Sequence, residues 1–159
     1  MTDFARLMSD YFVKYLAGQK GSGSNTMKTY RDTFVQLLEF MDEKKHIRAD
    51  CIEVDSFSYD IINEFLEYLE KEKRVSISTR NNRLAAIRSF FKYTGYHEPK
   101  YLNISTSIRE ISKKKTEGRQ MNYLSVNAME HFLNSFDKTD HKELRCFCIV
   151  LLLYESGAR

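Results

Sequence analysis

The sequence predicts an all-α protein: a four-helix bundle, a charged linker and two further helices. Three observations carry this. Apolar residues recur at three- and four-residue steps along most of the chain, which is the spacing of one helix face. Only one proline, Pro99, interrupts the 159 residues. Short turns between the first four periodic stretches imply a small bundle. A hydrophobic content of 42% with 30% charged residues describes a folded globular chain.

The first helix spans about residues 3–16, with Thr2 or Asp3 as its cap and Phe4, Leu7, Met8, Tyr11 and Tyr15 on its apolar side. Glycine and serine crowd residues 18–24, which read as a flexible connection. The second helix runs from Ser24 or Asn25 to about Glu43 and buries Tyr30, Phe34, Leu37, Leu38 and Met41. Residues 46–58 form a loop with a short extended piece at 51–54. The third helix, about 59–73, buries Ile61, Ile62, Phe65, Leu66 and Leu69. Ser76 or Ser78 caps the fourth, which ends near Gly95. A less regular stretch follows, anchored by Tyr101, Leu102, Ile104, Ile108 and Ile111.

Residues 112–120 are charged and read as an interdomain linker. Ser125 caps a helix over about 126–136, and residues 137–140 turn the chain. The last helix, about 141–156, ends at Gly157. It is apolar almost all round, as befits the centre of a larger core, so residues 121–159 are expected to open a second domain. The expected division is 1–111, 112–120 and 121–159.

Net charge is only +3, so its distribution matters more than its sum. The third helix carries Asp60, Glu64, Glu67, Glu70 and Glu72 against Lys71 and Lys73. The fourth carries Arg80, Arg83, Arg88 and Lys92 with no acid, and the linker holds Lys113, Lys114 and Lys115. Three cysteines, with Cys146 and Cys148 in an apolar helix, make neither a disulfide framework nor a metal site; core packing and a reducing cytosol are expected. The N-terminus shows no secretory signal, and no apolar run reaches membrane-spanning length.

On the fourth helix Leu84, Ile87 and Phe91 share one side, with Phe90 at its flank. Asn81, Ala85, Arg88 and Lys92 form a stripe on another, beside Ser78, Asn82 and Ser89. Such a face suits a DNA major groove. Arginine and lysine bind phosphates or guanine edges, asparagine reads adenine, and alanine permits close approach. Arg80 and Arg83 flank the apolar side and are placed to reach outward to phosphates. Thr26, Lys28, Thr29 and Arg31, in the first turns of the second helix, are candidates for a phosphate at the positive end of its dipole. The lysine cluster 113–115 would track the backbone. The bland alternatives are a solvated surface helix, an ordinary helix start and a solvated linker.

The runs Asn25-Thr26-Met27-Lys28-Thr29-Tyr30 and Ser78-Thr79-Arg80-Asn81-Asn82-Arg83-Leu84-Ala85-Ala86-Ile87-Arg88-Ser89-Phe90-Phe91 resemble the second and fourth core-binding helices of the tyrosine recombinase, or phage integrase, family. Tyr123-Leu124-Ser125 is similar to the entry to that family's catalytic domain. Residues 151–159 resemble the helix ending in its Thr-Gly-Leu-Arg type motif, with Ser156 and Ala158 in place of Thr and Leu.

The resemblance implies a SAM-like core-binding domain over 1–111, a linker, and the first helices of a catalytic domain truncated after Arg159. It implies site-specific cutting and rejoining of DNA through a phosphotyrosine intermediate, with no cofactor or metal. Arg159 would be the first catalytic arginine. It also implies double-stranded DNA and further recombinase protomers as partners, a mobile element as source, and a place in the bacterial cytoplasm with the nucleoid and away from membranes. A chain ending at Arg159 would bind DNA without cleaving it. Two other readings stay open: a helical DNA-binding protein unrelated to recombinases, and a helical protein-interaction module.

Overall fold

The computed structural model describes residues 2–116 and 124–157. The chain divides into two compact units, residues 1–116 and 117–159. Among the described residues every regular element is helical.

The first unit begins with α1, Asp3–Asp10, whose N-terminus is capped by the Thr2 hydroxyl accepting from Ala5 N at 3.3 Å. The chain then winds on as a π-helix over Tyr11–Gln19. This corrects the expected stop at residue 16. Tyr11 and Leu16 are fully buried, and that burial outweighs the roughly 1 kcal/mol that Gly18 costs a helix. The glycine-rich connection is also ordered. Lys20 N donates to Tyr15 O at 2.8 Å and Ser22 N to Leu16 O at 3.0 Å, while Gly21 takes φ +55°.

Helix α2 spans Ser24–Lys45, α3 Tyr59–Lys71 and α4 Ile77–His97. Ser58 and Ser76 cap α3 and α4 by accepting from Ile61 N and Thr79 N. The C-terminal ends of α2 and α3 share one device. His46 (φ 55°) and Arg74 (φ 50°) adopt the left-handed conformation. The next residue's N–H then reaches six residues back, Ile47 to Met41 O and Val75 to Leu69 O, both at 3.1 Å. Ile47 and Val75 pack on the core, which holds each reversal in place. Between α2 and α3 the expected extended piece shrinks to Ile52 and Glu53, whose backbone is extended, between two 3-10 turns, Ala49–Cys51 and Val54–Ser56; Ile52 and Val54 are buried.

Helix α4 does not stop at Gly95. It continues to His97, and after a 3-10 turn at Pro99–Tyr101 the chain returns as α5, Leu102–Glu110. Gly95 serves close approach. A Cβ there would lie 2.8 Å from Ser105 Cβ, so only glycine lets α5 pack this tightly. Helices α2, α3 and α5 all pack on α4, which makes it the central element. Its buried residues therefore ring most of the helix: Leu84, Ala86, Ile87, Phe90, Phe91, Tyr93, Thr94 and Gly95.

Helix α1 is fastened to the α4–α5 turn. Lys100 Nζ and Tyr101 Oη each donate to Asp3 Oδ2 at 2.7 Å, and Arg6 pairs with Glu98 at 2.8 Å. The Lys100 bond, then the Tyr101 bond, holds the Asp3 carboxyl below its ordinary value of 3.8. A depressed carboxylate stabilises the fold above its unfolded value and loses that contribution as pH falls through the folded one. Asp3→Asn is therefore expected to be less stable than the parent at pH 7. The gap should shrink below about pH 3.8, as measured by urea unfolding across that range.

The second unit contains α6, Val126–Asn134, and α7, His141–Ser156. Ser125 caps α6, accepting from Ala128 N, and Asp140 caps α7, accepting from Lys142 N. Gly157 closes α7 at φ +60°. Phe132, Phe136 and Phe147 are in ring contact. Leu144, Ile149, Leu152, Leu153 and Tyr154 are exposed. Cys146 and Cys148 are free and exposed in this unit, as is Cys51 in the first.

Candidate nucleic-acid interface

The candidate surface lies on the first unit, where the start of α2 meets the outer face of α4. Gly23 caps α2 without a side-chain bond, while Thr26 N and Met27 N already donate to Gly23 O. The first-turn amides Ser24 N and Asn25 N thus have no intrahelical acceptor, and the positive end of a 22-residue helix is open there. Asn25, Thr26, Thr29 and Tyr30 line a shallow hollow together with Asn82 and Ala85 of α4. Thr29 donates its hydroxyl to Asn25 O at 2.9 Å. Asn25 and Tyr30 join this hollow although the sequence marks them as a helix start and a buried residue, not as site residues. Asn25 was legible as the i−4 partner of Thr29 in the first turn.

A second hollow adjoins it through Asn82. Ser78, Asn81 and Asn82 line it with Lys113, Lys114, Lys115 and Thr116. The structure thus brings Thr26, Thr29, Ser78, Asn81, Asn82 and the lysine cluster to one region. Lys92 is exposed further along α4. Lys28 and Arg31 instead border a separate hollow with Phe12, Ser24 and Met27, on the opposite side of α2 from Thr26. Arg31 Nε lies 3.7 Å from Asp32.

Four expected contacts are engaged within the protein. Arg80 is buried, its Nε 3.0 Å from Glu70 Oε1 in an ion pair whose angle falls short of a hydrogen bond. Its Nη1 donates to Ser112 O at 3.2 Å. Arg83 Nη1 donates to Thr29 O at 2.9 Å and to Thr33 Oγ1 at 3.2 Å, tying α4 to α2. Arg88 Nη2 donates to Ile111 O. Asn81 donates to Lys114 O at 2.7 Å and accepts from Lys114 N at 3.1 Å. The expectation that Arg80 and Arg83 reach outward is corrected. Both guanidiniums turn inward to part-buried acceptors, the Ser112 and Thr29 carbonyls and the Glu70 carboxylate.

Those same bonds strap residues 111–114, where the expected interdomain linker begins, to α4. Lys114 Nζ pairs with Glu70 at 2.6 Å. Among the described residues Lys92, Lys113 and Lys115 have no carboxylate partner. Glu70 is held between Arg80 and Lys114. Arg159 and Tyr123, singled out from the sequence, lie outside the described residues. Tyr93 is buried and Tyr154 is half-exposed.

The first unit is a small α-domain that brings a helix N-terminus, an amide-bearing helix face and a lysine cluster to one side. Residues 10–99 match the family described as phage integrase, N-terminal SAM-like domain, and the chain belongs to that family. It is 27% identical over 155 residues to y4rC of Sinorhizobium fredii, provisionally named an integrase/recombinase, covering 98% of this chain and 47% of that protein. It is similar to the tyrosine recombinase XerC of Natranaerobius thermophilus, 29% identical over 148 residues, covering 93% and 46%. XerC of Staphylococcus aureus is 25% identical over 154 residues, covering 96% and 48%. The chain spans about half the length of these curated relatives. No solved structure matches it. No helix among the described residues is long and apolar enough to cross a membrane.

Proposed function

We propose that this chain is the DNA-binding portion of a site-specific tyrosine recombinase or integrase, which cuts and rejoins double-stranded DNA through a phosphotyrosine link. The observation that carries this reading is the convergence of the open start of α2, the outer face of α4 and the unpaired lysines on one region. Asn82 and Ser78 are free to meet base edges or phosphates, and Ala85 leaves room for a groove wall. Lys92, Lys113 and Lys115 supply the counter-charge for the backbone. Membership of the phage integrase family supports DNA as the polyanion. Arg159, by its resemblance to the first arginine of the family motif, would grip the scissile phosphate. Covalent cleavage is not assigned to these residues. Further protomers on the same DNA are part of the proposal, as are a mobile element as source and the bacterial nucleoid as location.

The test is titration of this chain with labelled duplex DNA across a salt series. Log affinity is expected to fall linearly with log salt. Lys92→Gln should weaken binding across unrelated sequences and lower that slope by about one. No binding by the parent chain, or a slope untouched by Lys92→Gln, would count against the reading. Preference for an acidic protein over duplex would favour an interaction module instead.

A further inference from the structure

The segment after α5 is fixed to α4 by side chains that the sequence would assign to DNA. Asn81 faces the Lys114 peptide with both ends of its amide, donating at 2.7 Å and accepting at 3.1 Å. Arg80 donates to Ser112 O, and Arg88 to Ile111 O. Ile111 itself is buried. Two adjacent side chains and a third about two turns further along one helix thus grip one short strap. Lys114 Nζ pairs with Glu70 at 2.6 Å, and Lys113, Lys114 and Lys115 all border the hollow with Ser78 and Asn82; among the described residues Lys113 and Lys115 have no carboxylate partner.

We infer that Asn81, Arg80 and Arg88 are positioning residues: they hold residues 111–114 on α4 so that Lys113 and Lys115 stand at the DNA face beside Asn82. This rests on the DNA-binding reading above. Its physical content is preorganisation. Two lysines on a free linker pay ordering entropy to bind phosphate, whereas lysines on a strapped segment have paid it during folding. Lys114 belongs to the strap and is not a phosphate contact.

Two measurements on the 159-residue chain test it. In the absence of DNA, trypsin should cut after Lys113 or Lys115 at least about threefold faster in Asn81→Ala than in the parent, because two hydrogen bonds to the strap are lost. An unchanged cutting rate would overturn the strap. With a mixed-sequence 30-base-pair duplex as the probe, Asn81→Ala should weaken binding by about three- to tenfold. In a Lys113→Gln/Lys115→Gln background the same change should cost less than about twofold, since the lysines it positions are gone. Equal losses in both backgrounds would mean that Asn81 touches DNA itself, and would overturn this inference while leaving the DNA reading intact. Absence of duplex binding by the parent chain would overturn both.

Discussion

Phe90→Ala is expected to destabilise the first unit by about 3–5 kcal/mol, the range for truncating a fully buried aromatic residue. Phe90 is fully buried, and its ring meets those of Phe4 at 5.5 Å, Tyr11 at 5.4 Å, Phe34 at 5.3 Å and Phe91 at 5.3 Å. All four pairs are edge-on, the arrangement that aromatic quadrupoles favour, and the first three partners are Phe4, Tyr11 and Phe34. They come from α1, the π-helix and α2, so one side chain on α4 joins the three N-terminal elements. Alanine would leave a cavity lined by rigid rings that cannot collapse into it, which is the condition for a cost near the top of the range. Phe90→Leu keeps most of the volume and should cost clearly less. Urea unfolding with the midpoint and slope both fitted is the check. A loss below about 1 kcal/mol for alanine would mean that the aromatic cluster is not the close-packed centre of this unit.

The helix starts were legible because capping is local chemistry. Ser58, Ser76, Ser125 and Asp140 each sit one residue before a helix and accept from a first-turn amide, as their types predict. The helix ends were less legible. Glycine is the usual stop signal, and here it misleads. Gly95 lies inside α4, where it admits Ser105, while the reversals after α2 and α3 fall on His46 and Arg74. What holds those two in the left-handed region is the burial of the following Ile47 and Val75, a tertiary effect that no local pattern announces.

The site was legible in outline and misread in detail for a related reason. An acid-free run on α4 shows that the helix has cations to place, but not where. Phe90 was placed at a flank because a single apolar face was assumed, whereas α4 is packed by helices on several sides. With the apolar arc widened, Arg80, Arg83 and Arg88 fall at its margins, within reach of carbonyls at Thr29, Ile111 and Ser112. These partners lie from 23 to 54 residues away along the chain, so spacing alone could not reveal them. The residues left facing outward, Ser78, Asn82, Ala85 and Lys92, form a narrower stripe than the sequence suggested, with Asn82 shared by both hollows.

Glu70→Gln should separate stability from DNA recognition. Glu70 pairs with Arg80 at 3.0 Å and Lys114 at 2.6 Å. The Arg80 side chain is 7% exposed, so removing its counter-charge leaves a buried guanidinium with only the Ser112 and Asn81 oxygens, at 3.2 Å and 3.3 Å. Breaking a buried pair from one side costs roughly 3–5 kcal/mol. A value of about 3 is expected because Glu70 itself keeps 23% of its side-chain exposure and water screens part of the loss. Replacing both partners, as in Glu70→Leu with Arg80→Met, should recover most of that, since no stranded charge remains. On the DNA side the sign reverses. Glutamine removes an acid paired with the lysine strap and frees the Lys114 ammonium, so at a salt concentration and temperature where the variant is folded its affinity for duplex should not fall. The slope of log affinity against log salt should stay the same or steepen. A variant that loses stability and duplex affinity together, with a flatter slope, would show that the Glu70 bridge is needed to present the cationic face. The bridge would then serve recognition through the strap as well as the core through Arg80.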